Sequence, residues 1–247
     1  MERHLKDIRW ESVKENLLDI LFPKFCFGCK REGFYICGDC SIFLSENSLV
    51  CPVCGDSSYT GKRHKGCGSR YDIDGLTSLW DYEGVIKKAI IDIKSNNHFF
   101  VGRKLIRRAF FEFIGEDDRF IDFLNFLFSD ETRISYVPEY PDKSILKFEE
   151  DVNQAMKIAE GLAEVAGKEV VRTLEKTKKT EKQSELKKSE RLKNVKGSFE
   201  AKDAKRYSKI VLVDDIFTTG ATMRECGKVI KRSGVEEVWG FTLARTI

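Results

Sequence analysis

The chain contains 247 residues, of which 41% are hydrophobic and 34% are charged, and its formal net charge is +3. This composition excludes an intrinsically disordered chain, and the length allows one large domain or two modest ones. No stretch reaches the ~18 apolar residues that a membrane-spanning helix needs. The charged start, MERHLKDIRWESVKEN, lacks the apolar centre of a signal peptide. We therefore predict a globular protein of the cytoplasm.

The first predicted element is an amphipathic helix over residues 10–22. Its apolar residues recur at a spacing of three and four, and Pro23 ends the pattern. We expect this helix to pack on the cysteine-rich segment that follows it. A helix lying on a membrane surface is the alternative.

Seven of the eight cysteines lie between positions 26 and 67, as three C-x-x-C pairs and one further cysteine. Paired cysteines in a cytoplasmic chain bind metal more often than they form disulfides, which remain the alternative. We predict one or two structural zinc ions, because two such pairs complete a tetrahedral site. His64 is the natural fourth ligand of a second site, or else a solvated loop residue, and Arg70 stands where a fourth pair would end. The predicted ligands are Cys26, Cys29, Cys37 and Cys40 for one ion and Cys51, Cys54, His64 and Cys67 for the other.

Strands and helices alternate from residue 73 onward, which predicts an α/β fold with a parallel, doubly wound sheet. We expect a cysteine-rich module over residues 1–72 and a larger domain over residues 73–247. Residues 120–128 are rich in aromatic side chains and are expected in the core. Strands are predicted over 76–82, 133–138, 169–174 and 210–213, and helices over 85–94, 102–113 and 152–166.

A strongly basic stretch covers residues 168–197, which hold eleven Lys or Arg residues and five Glu residues. Few of its residues are apolar, so we predict that most of it beyond the strand is a mobile loop. Its place before the strand at 210–213 suggests a segment that closes over a pyrophosphate or a nucleic-acid strand. A solvated insertion without function is the alternative.

The run IVLVDDIFTTGAT, at residues 210–222, has the order of a sugar-phosphate site. A buried strand leads to Asp214 and Asp215, at the strand end where open α/β sheets bind ligands. The two carboxylates can accept hydrogen bonds from a vicinal diol, such as the 2- and 3-hydroxyls of ribose. Gly220 permits a tight turn, and the N–H groups at the start of the next helix favour an anion.

This run resembles the phosphoribosyl pyrophosphate (PRPP) signature of type I phosphoribosyltransferases. Joined to the cysteine module, it makes nearly the whole chain similar to the ComF family of competence-associated proteins. The resemblance implies a type I phosphoribosyltransferase fold with a zinc-ribbon-like module, and a ligand, PRPP or ribose 5-phosphate, that brings Mg²⁺ with it. The implied ligand-binding residues are Asp214, Asp215, Phe217, Thr218, Thr219, Gly220, Ala221 and Thr222. The implied pyrophosphate or loop residues are Lys94, Lys182, Gln183, Arg191 and Asn194.

Two functions remain open at this point. The first is transfer of the phosphoribosyl group to an acceptor. The second is PRPP sensing without catalysis, or binding of single-stranded DNA or of a protein of the competence machinery. Acidic Glu150 and Asp151 replace the Arg-Gly that the family usually has before its Phe-Asn-Gln, and they favour binding over turnover because they repel pyrophosphate.

Overall fold

The computed structural model describes residues 24–45, 48–96, 99–140, 153–180 and 188–246. The predicted helix over 10–22, the acidic pair Glu150 and Asp151, and the loop candidates Lys182 and Gln183 lie outside these residues. Within the described ranges, no helix combines the length and the apolarity that crossing a bilayer requires.

Four parallel strands form the central sheet, in the order β1–β6–β5–β2, and two shorter strands, β3 and β4, pair antiparallel beside it. The strands are β1 (Gly75–Asp81), β2 (Thr132–Tyr136), β3 (Leu174–Lys176), β4 (Phe199–Ala201), β5 (Lys209–Phe217) and β6 (Glu237–Arg245). The helices are α1 (Gly38–Ser41), α2 (Gly84–Asn96), α3 (Phe99–Ala109), α4 (Ile121–Phe128), α5 (Gln154–Ala166), α6 (Lys188–Val195) and α7 (Ala221–Arg232).

Helices cover both faces of the sheet, because side chains of a strand alternate between its faces. Val211 and Val213 of β5 belong to the core cluster that contains buried residues of α2 to α5. Ile210 and Leu212 point the other way, into the cluster with the buried side chains of α7. The prediction of a doubly wound α/β fold is therefore confirmed.

Part of the basic stretch is ordered, against the prediction of a loop over most of it. Leu174, Val195 and Phe199 are buried and anchor β3, α6 and β4 in the second core cluster. The predicted strand over 169–174 is also wrong in extent, since only Val170 forms a parallel bridge, to Ile134. The strand proper begins at Leu174 and pairs with β4 instead.

The other elements fall close to their predicted places. The helix expected over 102–113 begins at Phe99, and its last turn widens into a π-helix, Phe110–Ile114. The strand expected over 210–213 continues to Phe217, so it carries both aspartates. Phe27 and Ile36 of the cysteine-rich segment reach the first core cluster. The boundary at residue 72 stays a prediction.

Candidate functional site

The acid pair lies in the last part of β5, at the carboxyl end of the sheet. The backbone holds both carboxylates: Asp214 Oδ1 accepts a hydrogen bond from the N–H of Asp215 at 2.9 Å, and Asp215 Oδ1 accepts one from the N–H of Ile216 at 2.7 Å. Both side chains line a cleft of about 630 Å³. This volume is in the range of ~300–1,000 Å³ that small-molecule sites occupy.

The two carboxylates are in different electrostatic environments. Lys94, near the end of α2, forms an ion pair with Asp215, and this partner raises the pKa of Lys94 although burial opposes the shift. Burial and the neighbouring Asp215 raise the pKa of Asp214 well above its usual range. A hydrogen-bond donor or a cation beside Asp214 would stabilise its charged form.

A tight turn connects β5 to α7, and the first residues of the helix line the cleft. Gly220 has a φ of +70°, and a Cβ there would lie 2.4 Å from the Phe217 ring. Glycine is therefore required both by the backbone conformation and by the packing. Thr218, Gly220, Ala221 and Thr222 line the cleft. The Oγ1 of Thr219 accepts a weak hydrogen bond, 3.4 Å long, from the N–H of Ala221.

The residues that the resemblance implied for the pyrophosphate or the loop differ in where they lie. Lys94 and Arg191 line the cleft. Asn194 is not among its lining residues, and the carbonyl of Asn194 instead accepts a hydrogen bond from the Ser198 hydroxyl at 3.4 Å. Lys182 and Gln183 lie outside the described residues.

Gln154 and Lys176 line the cleft but were not among the predicted site residues, although Gln154 ends the stretch compared with the family's Phe-Asn-Gln. Gln154 is the first residue of α5, and Lys176 is the last residue of β3. Lys176 belongs to the basic stretch, but nothing local distinguishes it from the lysines around it. Its position depends on the pairing of β3 with β4, a contact between distant parts of the chain.

The first four cysteines form a group suited to one zinc ion. The sulfur atoms of Cys26, Cys29, Cys37 and Cys40 lie within 4.8 Å of one another. The Cys29 and Cys37 sulfurs are 3.6 Å apart, close to the ligand–ligand distance of about 3.8 Å that tetrahedral Zn–S bonds require. Burial opposes the Cys26 thiolate, but the N–H groups of Cys29, Cys37 and Gly28 outweigh it and lower the Cys26 pKa to about 6. Zinc binds the thiolate form, so the residues fit this ion.

The second group contains His64 rather than a fourth cysteine. Its ligand atoms, from Cys51, Cys54, His64 and Cys67, also lie within 4.8 Å of one another. His64 Nδ1 is 3.5 Å from the Cys54 sulfur, and its Nε2 is 3.1 Å from the Ser57 carbonyl oxygen. Donation from Nε2–H to that carbonyl leaves the lone pair of Nδ1 for a metal, the usual arrangement of a zinc-bound histidine.

Arg70 does not take part in this arrangement, since its guanidinium stacks on the Tyr71 ring, 4.7 Å from the ring centroid. No open coordination position is built into either group, because each offers four ligand atoms. Both fit a structural zinc ion rather than a catalytic one.

Buried polar contacts join the second group, of three cysteines and His64, to α7. Asp72 is 3% exposed and accepts a hydrogen bond from the N–H of Ser69, close to Cys67. Arg224, in the first turn of α7, approaches Asp72 at 3.4 Å and the carbonyl of Val53, between two of the cysteines, at 3.4 Å. The loops that carry the second group of ligand atoms therefore support the helix that begins at the cleft.

Comparison with known proteins agrees with this architecture. The family description "Phosphoribosyl transferase domain" matches residues 152–245, a range that begins just before α5 and ends at β6. The chain is 29% identical over 218 residues to "Competence protein ComFC" of Streptococcus pneumoniae, which covers 83% of this chain and 91% of that protein. It is 36% identical over 75 residues to "Competence protein F" of Haemophilus influenzae, covering 29% of this chain and 33% of that protein.

Proposed function

Because the chain belongs to the ComF family, we propose that its cleft binds PRPP together with Mg²⁺, or a related ribose 5-phosphate, as the donor of a phosphoribosyl group. One observation carries this proposal. An acid pair at a strand end and the N-terminus of a long helix face the same cleft, joined by a glycine turn. A sugar that carries hydroxyls on one side and a phosphate on the other matches this order of groups.

The ribose hydroxyls donate hydrogen bonds to Asp214 and Asp215 in this proposal. Asp215 is already neutralised by Lys94, so the diol shares that carboxylate with the lysine. Asp214 gains most from the new donors, because its charged form is otherwise disfavoured by burial and by Asp215. The 5-phosphate lies at the turn of residues 217–222, where the dipole of α7 and the N–H groups at the start of that helix favour an anion.

The acid pair also fits a Mg²⁺ ion held mainly by the ligand, since Mg²⁺ prefers oxygen atoms and retains several waters. Asp214 would be its contact on the protein, with Asp215 beside it. When bound, Mg²⁺ would neutralise the charge of the pyrophosphate. The protein itself orients the ribose through the carboxylates and holds the phosphate at the turn.

Transfer would break the bond between the ribose C1 and the pyrophosphate oxygen, which leaves with the electron pair, while an acceptor atom bonds to C1. The charge that develops on the ribose is stabilised by the carboxylates on its hydroxyl side. Turnover is tested by measuring pyrophosphate release with nucleobase, amine and nucleic-acid acceptors. Absence of release with all three classes would leave a protein that binds PRPP without transferring it.

Binding is tested by calorimetric titration of zinc-loaded protein with PRPP and Mg²⁺. Thr219→Asp is the matched variant, because it places a carboxylate at the phosphate turn without touching the glycine. We expect wild type to bind and the variant to lose at least tenfold in affinity, since like charges repel. Equal affinity of both proteins would place the phosphate elsewhere.

A second candidate function is binding of single-stranded DNA, and a groove beside the first metal group favours it. This basic groove, of about 250 Å³, lies between residues 33–36 and α3. The Nζ atoms of Lys24 and Lys104 are 5.9 and 5.6 Å from the centroid of the Tyr35 ring, and Phe34 is 55% exposed. Aromatic rings flanked by cations suit stacked bases and their phosphates.

The names of the two relatives refer to competence, and we propose a role in competence with single-stranded DNA or another competence protein as partner. Fluorescence anisotropy with a labelled oligothymidine tests the DNA contact. We expect affinity to fall with rising salt, and Phe34→Ala and Lys104→Gln to weaken binding. Lys205→Gln, on a distant exposed lysine, is the control. Binding that does not respond to salt would contradict this role.

A further inference from the structure

We propose that Arg224 is a positioning residue, through which zinc binding at the second group, of three cysteines and His64, and PRPP binding at the turn of residues 217–222 strengthen each other. The proposal rests on the proposed function, because it takes this phosphate turn as the place where PRPP binds. It adds a means by which metal occupancy sets the affinity of the cleft.

Arg224 lies in the first turn of α7, directly after the phosphate turn. Its backbone N–H donates to the carbonyl of Gly220 at 2.9 Å, and this bond closes the start of the helix on the glycine of the turn. Arg224 is not among the residues that line the cleft, whereas the three residues before it are: Ala221, Thr222 and Met223. A contact made by its guanidinium therefore acts on the site through the position of the helix and not through the ligand.

The guanidinium of Arg224 contacts two loops that carry ligand atoms of the second group. Nη1 lies 3.4 Å from the carbonyl oxygen of Val53, the residue before Cys54. Nη2 lies 3.4 Å from Asp72 Oδ1, in the segment that follows Cys67. The Nε atom is buried and has no hydrogen-bond partner in the ranges that the structure describes. Since burying a donor without a partner is unfavourable, the contacts with the two loops must hold the group in place.

Asp72 attaches the second of these loops to the helix. Its side chain is only 4% exposed, and its Oδ2 accepts hydrogen bonds from the N–H and the hydroxyl of Ser69 at 2.8 and 3.1 Å. Its Oδ1 faces α7, with Arg224 at 3.4 Å and Lys228, in the next turn, at 3.7 Å. One carboxylate thus joins the loop that carries Cys67 to the first two turns of the helix.

A zinc ion would fix both loops at once. The four ligand atoms of the second group lie within 4.8 Å of one another, and they come from both loops, with Cys54 beside Val53 and Cys67 before Ser69. Metal binding orders the segments that supply its ligands. Because α7 begins between these loops and the cleft, ordering the loops orders the phosphate turn as well. A preorganised turn then binds its phosphate more tightly.

The coupling acts in both directions. If zinc tightens PRPP binding by some factor, PRPP must tighten zinc binding by the same factor, because the bound states form one thermodynamic cycle. We expect a factor of about five, at the lower end of usual couplings, since both polar contacts of Arg224 are 3.4 Å long. A network that only stabilised the fold would lower the stability of its variants without linking the two affinities.

The test measures the zinc affinity of the wild type with and without PRPP and Mg²⁺. Free zinc is set by a series of chelator buffers, and the zinc bound per chain is counted by plasma emission after desalting. The zinc of the second group is the portion that His64→Asn lacks. We expect saturating PRPP to lower the free zinc needed for half-occupancy of this group about fivefold, and to leave the first group unchanged.

Arg224→Met removes the guanidinium but keeps a long side chain of similar helix propensity. We expect this variant to bind PRPP about fivefold more weakly in calorimetric titration, and its zinc affinity not to respond to PRPP. Lys231→Met is the matched control, because Lys231 is a 7% exposed cation of the same helix that pairs with Asp74, about two turns beyond Arg224. The control should lose stability in urea unfolding and yet keep the fivefold linkage.

Three outcomes would overturn the role of Arg224 while the wild type still binds PRPP, so that the proposed function stands. These are a zinc affinity that PRPP does not change, a linkage that persists undiminished in Arg224→Met, and a second group that holds no zinc. The first and third are measured on the wild type alone and need no variant to fold. Arg224→Lys, which keeps a cation for Asp72, is the milder second variant and should show a reduced linkage. A zinc-loaded wild type that does not bind PRPP overturns both proposals.

Discussion

Replacing Gly220 by alanine tests the geometry of the phosphate turn most sharply. The residue has a φ of +70°, and a Cβ would lie 2.4 Å from the Cζ of Phe217 and 2.9 Å from its Cε2. Phe217 is only 8% exposed and ends β5, so its ring has little room to move away. The substitution therefore changes the backbone conformation and the packing at once.

The two effects can be separated in magnitude. A left-handed backbone costs a non-glycine residue about 1–2 kcal/mol, and overpacking a filled site costs a further ~1–3 kcal/mol. Gly167→Ala provides the matched control, because Gly167 has a φ of +62° at the end of α5 and nothing lies within 4 Å of its added Cβ. We expect a loss of about 1–2 kcal/mol for the control and about 2–5 kcal/mol for Gly220→Ala.

Urea unfolding followed by circular dichroism gives the free energy of unfolding of both variants, and titration with PRPP gives their affinity. Gly220→Ala should bind at least tenfold more weakly than wild type, whereas Gly167→Ala should bind as wild type does. Equal stability losses in the two variants, with unchanged affinity, would refute the account of this turn.

Three further predictions follow from the metal groups and the buried acids. His64→Asn should lower the bound zinc from about two ions per chain to about one, measured by plasma emission, and an unchanged content would exclude His64 as a ligand. Burial alone would raise the pKa of the Asp72 carboxyl, but the hydrogen bond from Ser69 and the charge of Lys228 hold this pKa below its usual range. The charged carboxylate therefore stabilises the folded protein above about pH 4, and this stabilisation is lost below that pH. Asp72→Asn should thus cost about 2 kcal/mol in urea unfolding at pH 7 and less below pH 4; a cost independent of pH would contradict this. Burial and the charge of Asp215 raise the pKa of Asp214, so its charged form costs stability above about pH 4. Asp214→Asn should therefore stabilise the ligand-free protein at pH 7 while weakening PRPP binding. Urea unfolding that shows lower stability at pH 7 would contradict the assigned shift.

Local patterns in the sequence predicted most of the site. The turn at residues 217–222 follows its strand directly, and the spacing of the cysteines brings each pair together without help from distant residues. The two metal groups accordingly contain the eight predicted ligands. The continuous run of apolar residues over 210–213 likewise predicted a buried strand.

Long-range contacts account for what the sequence did not predict. The segment before β3 first follows β2, since the N–H of Val171 donates to the carbonyl of Ile134 at 2.8 Å. The backbone pairing with β2 then ends. The hydroxyls of Thr173 and Ser135 form a hydrogen bond of 2.6 Å, and the N–H of Thr173 donates to the Ser135 hydroxyl rather than to a backbone carbonyl of β2. This break displaces the strand to Leu174–Lys176 and brings Lys176 to the cleft, which no local pattern indicates.

A crystal structure of the protein with PRPP and Mg²⁺ tests the central proposal most directly. We expect the 5-phosphate at the N–H groups of residues 218–222 and the ribose hydroxyls on Asp214 and Asp215. A ligand phosphate held instead in the basic groove beside Tyr35, with the acid pair still bonded only to Lys94 and the backbone, would contradict it.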